Sequence, residues 1–286
     1  MFDLHMHTTL SDGKLGVDEL LALLQSEHIK LFSITDHNHC LSYQHFDSSK
    51  FPVLVGTEIA TSYQGRIIEI LGYGVNYEMI NTWYQSFFSE TELRKKELFL
   101  FNRLKKIIAK EKLDLTVDLK LPNFEKGISK RTIYEDLVKR NPQFTTEFPS
   151  YKSFFRNGLS NPESAYFLNE ALTYPSFQEV VNLIHDAGGK AFLAHPYEYG
   201  LENLDQLLDY CNQQLDGIEC FHPSASFIQS IALFNYCEKH QLNACGGSDF
   251  HKFERQVRVG VRVLDNFYDR QPFAWLREYI SKEQFR

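Results

Sequence analysis

His5 and His7 stand two apart in an extended, apolar-flanked run that closes on Ser11-Asp12-Gly13. On a strand, side chains two apart share a face, so both imidazoles would point to one place. Two neutral imidazoles side by side make a poor core and a good start to a metal site. Alone, the His-x-His reads as a surface pair on an edge strand. The same kind of ending recurs, however: Asp36-His37, Glu58, His195 and Asp249-Phe250-His251 each follow a short apolar run.

Those runs alternate with helical patterns. Residues 17–29 predict an amphipathic helix, with Leu20, Leu21, Leu23 and Leu24 on its apolar face and Asp18 and Glu19 favouring its amino end. A strand follows over 31–35, and strand, helix, strand in that order suggest a parallel crossover unit. A third strand is expected over 51–56 and a fourth over 66–74, where Glu69 lies between Ile68 and Ile70. A carboxylate inside such a run wants a reason. Over 77–174 the rhythm breaks. Residues 81–112 predict one long helix, Pro, Asn and Ser punctuate the rest, and a mostly helical insertion used as a cap is expected. The first pattern then resumes, with helices over 176–187, 203–214 and 225–240. Strands over 191–194, 217–221 and 243–247 end in His195-Pro196, His222-Pro223 and Ser248-Asp249-Phe250-His251. A last strand is expected over 259–264 and a closing helix over 269–281.

The chain has 286 residues, enough for one barrel-sized domain or two ordinary ones, and its 43% apolar and 23% charged content fit a soluble globular protein. A net charge of -7 argues against a general nucleic-acid or DNA coat, which relies on excess Lys and Arg. It leaves room for a small phosphorylated substrate, because bound divalent metals reverse the local sign of a pocket. Cys40, Cys211, Cys220, Cys237 and Cys245 form no Cys-x-x-Cys pair and are odd in number, which predicts reduced, buried thiols. Without a basic-then-apolar leader or a membrane-length apolar run, a cytoplasmic protein with no membrane contact is expected.

Short apolar strands alternating with helices argue for an α/β barrel or a doubly wound sheet. In either, ligands gather at the carboxyl ends of the strands, where His5, His7, Asp36, His37, Glu58, His195, Asp249 and His251 all fall. So many imidazoles and carboxylates pack together only with cations, and nitrogen plus oxygen donors suit Zn, Mn or Fe. The lack of cysteine among them argues against a structural zinc site and for a multinuclear hydrolytic one.

Taken in order, His5-Met6-His7-Thr8 with Ser11-Asp12-Gly13, Thr35-Asp36-His37, Gly56-Thr57-Glu58, Ala194-His195-Pro196 and Gly247-Ser248-Asp249-Phe250-His251 resemble the motif set of the polymerase and histidinol phosphatase (PHP) family. Within it the chain is most similar to standalone metal-dependent phosphoesterases acting on nucleotides, nucleoside bisphosphates or RNA ends. The resemblance implies a distorted (β/α)7 barrel in two parts, 1–76 and 175–286, around the helical insertion 77–174, and two or three divalent metal ions. Carried over by position, His5, His7, Glu58 and Asp249 would hold a first metal. Glu58 would bridge to a second, held also by His195, and Asp12, His37 and His251 would hold a third. Family members usually have a histidine where this chain has Glu69, so a carboxylate there alters the second site and favours a harder ion. The insertion lacks the family's Gly-Arg-Pro-His stretch. Its nearest match is Ser129-Lys130-Arg131-Thr132, where Lys130 and Arg131 are candidate phosphate contacts and equally exposed charges at a helix start. Arg156, Arg255 and Arg258 are weaker candidates.

The resemblance implies hydrolysis of a phosphomonoester by metal-bound hydroxide, with Glu58 and Asp249 in the catalytic centre. His222 is a candidate substrate contact or proton donor, and Glu219 either a ligand or a partner to one. No Gly-x-Ser-x-Gly elbow and no Walker-type loop is present. The competing readings are an amidohydrolase cleaving C–N bonds and a non-catalytic, metal-stabilised PHP module.

Overall fold

In the computed structural model, which describes residues 1–117, 130–253, 258–263 and 265–285, β1 (Phe2–Asp3) pairs in parallel with β2 (Leu31–Phe32). The helix Val17–Ser26 makes the crossover between them. Its apolar residues recur three and four apart, and it buries Val17, Leu20, Leu21 and Leu24 on one stripe. Asp18 and Glu19 sit in its first turn, where the exposed N–H groups favour negative charge, and the Glu19 carboxylate accepts the Gly16 N–H at 2.8 Å.

A second sheet has the order β3 (Gly56–Tyr63), β4 (Arg66–Tyr73), β5 (Lys190–Leu193), β6 (Gly217–Phe221), β7 (Asn243–Gly246). β4 and β5 are antiparallel, and β5, β6 and β7 are parallel. The helices Leu204–Asn212 and Phe227–His240 supply the two crossovers that parallel pairing requires. Backbone contacts also run between the sheets. Leu4 donates to the Gly246 carbonyl at 3.1 Å, and isolated parallel bridges join Met6 to Phe250, Phe32 to Val53, and His37 to Glu58. Phe2, Tyr73, Phe192, Phe273 and Trp275 pack beneath, with the Trp275 indole N–H donating to the Ala244 carbonyl at 2.8 Å.

The chain divides into two compact units. The first comprises Met1–Tyr63, Ile67–Tyr84 and Pro175–Arg286, the second Gln64–Arg66 and Gln85–Tyr174. The second has its own core around Phe101, Ile133, Phe144, Phe148, Phe154 and Tyr166, with the aromatic rings edge to face.

Several elements differ from expectation. The third strand starts at Gly56, because Pro52 has no N–H to give a ladder and Val53 forms only a single bridge. The strand at the amino terminus stops at Asp3, beyond which side chains take two of the N–H groups: the Asp3 carboxylate accepts that of His5 and Thr35 Oγ1 that of Met6. The long helix is two, Tyr77–Phe87 and Glu90–Lys110, the second capped by Ser89. Of 259–264, Val261 pairs with Phe2, while residue 264 lies outside the described residues. The closing segment is the 3-10 helix Gln271–Glu278, with Pro272 at its start. All five cysteines are buried and unpaired. Among the described residues no helix is long and apolar enough to cross a membrane.

The approach of β7 to β1 is set by glycine. A Cβ on Gly247 would fall within 2.5 Å of the His5 backbone nitrogen. Gly247→Ala is expected to lower stability by about 2 kcal/mol or more through that overlap. Gly188→Ala, at φ +80 with open space around it, should lose only about 1 kcal/mol. Urea midpoints of the two variants check the order.

Candidate metal centre

The site residues are aimed by the backbone that follows each strand. Past β1, His7 donates its N–H to the Phe250 carbonyl at 3.0 Å, and Asp249 donates to the His5 carbonyl at 2.8 Å, so the opening histidines and the Asp249 segment hold one another. Asp36, fully buried, accepts the Thr8 N–H at 2.7 Å, the Thr8 hydroxyl at 2.8 Å and the Ser11 hydroxyl at 2.7 Å. These bonds fold the loop that presents Asp12. Gly13 closes it, and a Cβ there would lie 2.6 Å from the His7 carbonyl carbon.

Two site residues hold backbone conformations that L side chains rarely adopt: His195 has φ 23 and Asp249 φ 51. Each such residue costs about 1–3 kcal/mol and persists only where its surroundings over-determine it. Here the His195 N–H is taken by Glu219 Oε2 at 2.8 Å, and that of Asp249 by His5.

Glu58, on β3, is the hub. Its Oε1 lies 2.8 Å from His195 Nε2 and 3.3 Å from His5 Nε2, and its Oε2 lies 3.1 Å from His37 Nδ1 and 3.3 Å from His7 Nε2. Asp249 Oδ1 is 3.1 Å from His7 Nε2 and 3.3 Å from His5 Nε2, while its Oδ2 is 3.4 Å from His222 Nε2. Asp12 Oδ1 lies 3.0 Å from His251 Nε2 and 3.6 Å from His37 Nε2. Glu69 reaches His195 at 3.3 Å and His37 at 3.7 Å. Thus His5, His7, Asp12, His37, Glu58, Glu69, His195, His222, Asp249 and His251 form one linked cluster in the first unit.

Charge is strongly coupled across it. Burial opposes a charged imidazole, yet contacts with Asp249 and Glu58 outweigh it and hold His7 up at about 9. The same opposition, won by Glu58 and Glu69, holds His195 up at about 11. Burial would raise Glu58 and Asp249, but the surrounding histidines, His5 first, hold both carboxylates well below their ordinary range.

The donor set fits divalent cations. His5 Nε2, His7 Nδ1 and Nε2, His195 Nδ1 and His222 Nε2 are buried without a hydrogen-bond partner. Such atoms are costly unless something coordinates them. Ligand atoms within mutual reach of one ion form the groups His7, Asp12, His37 and His251; His5, His7 and Glu58; His5, His222 and Asp249; and His37, Glu58 and Glu69. Glu69 thus stands with His37 as well as His195, and His222 with the first histidine.

Lys130 and Arg131 belong to the second unit. There Lys130 Nζ pairs with the Glu170 carboxylate, and the Arg131 guanidinium stands 5.3 Å from the Tyr151 ring centroid. Ser129 and Arg255 lie outside the described residues. Sequence reasoning missed Asp3, whose fully buried carboxylate accepts N–H groups from His5, Ser248 and Gly260 at 3.3, 2.9 and 2.6 Å. Burial pushes it up to about 6. Nothing in its flanking residues marks it, since its partners lie some 245 and 257 positions away.

No family model matches the chain. Curated relatives do, along nearly its whole length. One is named phosphoribosyl 1,2-cyclic phosphate 1,2-diphosphodiesterase, from Eggerthella lenta; it is 26% identical, covering 91% of this chain and 98% of its own. The 5'-3' exoribonuclease Rnm of Escherichia coli is 26% identical, covering 92% and 89% respectively. Among solved structures, one described as an amidohydrolase from Chromobacterium violaceum with bound sulfate and no metal superposes with a TM-score of 0.57 at 22% identity. It covers 90% of this chain and 89% of that one, and shares the fold. The chain is therefore a homologue of hydrolases that act on phosphate esters, as its motifs suggested. The relatives that carry this are a cyclic-phosphate diesterase and an exoribonuclease.

Because Glu58 serves two of the four groups, Glu58→Gln is expected to remove up to two ions per chain, whereas His251→Ala should remove at most one. Metal content after saturation and gel filtration distinguishes these outcomes.

Proposed function

We propose that this protein is a metal-dependent phosphoesterase that hydrolyses a small phosphorylated substrate: a nucleotide, a nucleoside bisphosphate or a short RNA 5′ end. The observation that carries it is the Glu58 hub, a buried carboxylate whose two oxygens face separate histidine pairs amid imidazole nitrogens with nothing to bond. We assign His5, His7, Glu58 and Asp249 to one cation, Glu58, Glu69 and His195 to a second, and Asp12, His37 and His251 to a third. Divalent cations in such a site lower the pKa of water toward neutrality and neutralise charge developing on phosphate oxygens. With Glu69 adding oxygen to the donor set, Mn suits the second position better than Zn.

The chain's own groups do the rest. His222 Nδ1 receives the Ser224 N–H at 3.1 Å, so in the neutral ring the proton sits on Nε2, beside Asp249. We assign that proton to the leaving oxygen. Asp249 and Glu58, kept ionised by the histidines around them, offer anionic oxygens to cations. A distorted seven-stranded barrel is the architecture we infer. Its support is the run of bridges and hydrogen bonds from β7 through Leu4 and Met6 to β1, and from β2 through Val53 and Glu58 to β3.

The test is a phosphate-release screen with added Mn²⁺ over nucleoside bisphosphates, cyclic phosphates and 5′-phosphorylated oligonucleotides, with amides alongside. Turnover of at least one phosphate ester is expected, and Asp249→Ala, folded by circular dichroism, should lose more than about 100-fold in kcat/KM, exceeding typical outer-residue effects. Cleavage of amides alone, or metal uptake without turnover of any compound, would overturn the reading.

A further inference from the structure

Glu219 lies in the middle of β6 with no exposed surface. Both its oxygens are engaged, each by a different histidine. Oε1 is 3.0 Å from His5 Nδ1, and Oε2 accepts the His195 backbone N–H at 2.8 Å. Across the His5 ring, Nε2 is buried without a hydrogen-bond partner and lies 3.3 Å from Glu58 Oε1 and 3.3 Å from Asp249 Oδ1. A neutral imidazole has one N–H and one lone pair, so a carboxylate that takes a hydrogen bond from Nδ1 leaves the lone pair on Nε2. The second contact acts on backbone. His195 sits at φ 23, and the bond to Glu219 helps hold that conformation while the His195 ring reaches Glu58 Oε1 at 2.8 Å.

We propose that Glu219 is a positioning residue that binds no cation: one oxygen sets the tautomer of His5 and the other the backbone of His195, so that both rings present Nε2 to Glu58. Among the described residues, no group within reach of a shared ion includes Glu219. One carboxylate therefore couples the end of β5 to the segment after β1 through β6, and ties the ligands of two adjoining cations to one support. This rests on the metal reading of the site.

The experiment compares full-length wild type with Glu219→Gln by Zn²⁺ calorimetry, by ¹⁵N-histidine NMR of the Zn²⁺-loaded protein, and by thermal unfolding of the metal-free chain. The amide keeps the volume but accepts through one oxygen only, so it can satisfy one of the two donors. Zn²⁺ affinity is expected to fall about 10–100-fold, with the wild-type Nδ1–H signal of His5 lost or moved. Glu219→Asp, which retains the charge but withdraws it, gives the same comparison should the amide variant not fold. Unchanged affinity with an unchanged His5 signal overturns the proposal. So does a lowered unfolding midpoint with full affinity in the folded fraction, which would make Glu219 merely structural. Wild-type protein that takes up no Zn²⁺ would instead refute the metal reading itself, so the two failures are distinguishable.

Discussion

A carboxylate withdrawn from water must be met by positive charge or by hydrogen bonds. Glu58, 1% exposed, is met by four imidazoles from three separate stretches of chain. The dependence runs both ways, since three of those imidazoles, His5, His7 and His195, carry buried nitrogen atoms with no hydrogen-bond partner. Removing one partner leaves the rest buried and uncompensated, which is far costlier than never having buried them. The strands must therefore end in phase. A one-residue slip in any of them turns its histidine to the opposite face and leaves Glu58 unmatched.

Holding that phase is the task of groups that hydrogen-bond backbone rather than face the reaction. Asp3 takes N–H groups from the segments after β1 and β7, Asp36 folds the Thr8–Ser11 turn, and Glu219 ties β5 to β6. Each is fully buried, and none has surface left for substrate. The unusual backbone of His195 and Asp249 follows from the same arrangement. A side chain leaving a strand end in extended geometry continues along the strand face, whereas a left-handed residue turns the chain and directs its side chain inward. The site combines buried charge with local strain, and the hydrophobic packing of Phe2, Phe192 and Trp275 beneath it must offset both.

Much of the site was legible in the sequence because strand-end placement is a local property. His7, Glu58, His195 and His251 each follow an apolar run, and the alternation of runs with helical periods suffices to send them to one end of a sheet. Helices with strong amino caps, such as Phe177–Asp186 with Ser176 and Glu179, were legible for the same reason. What stayed hidden depends on partners distant in sequence. Asp3 looked like an ordinary residue in a short apolar run, and its role comes from Ser248 and Gly260. The late start of β3 and the break between Phe87 and Glu90 turn on which backbone groups find ladder or helix partners, and periodicity averages over such details. Backbone torsions at His195 and Asp249 leave only a weak trace in residue type, because histidine and aspartate visit the left-handed region more often than most residues but still seldom.

The two hydrophobic cores bear on how such a molecule can change. Every support named for the Glu58 cluster, from Asp3 and Gly13 to Glu219 and Gly247, lies in the first unit, and its apolar packing shares no residue with the core around Phe144, Phe148 and Phe154. The second core is thus built without any residue that supports the cluster. A change at Phe192 or Trp275, by contrast, is felt where Tyr73, packed against both rings, donates its hydroxyl to the Leu4 carbonyl, one residue from His5. The supports of the cluster are thus bound up with the aromatic packing of the first unit.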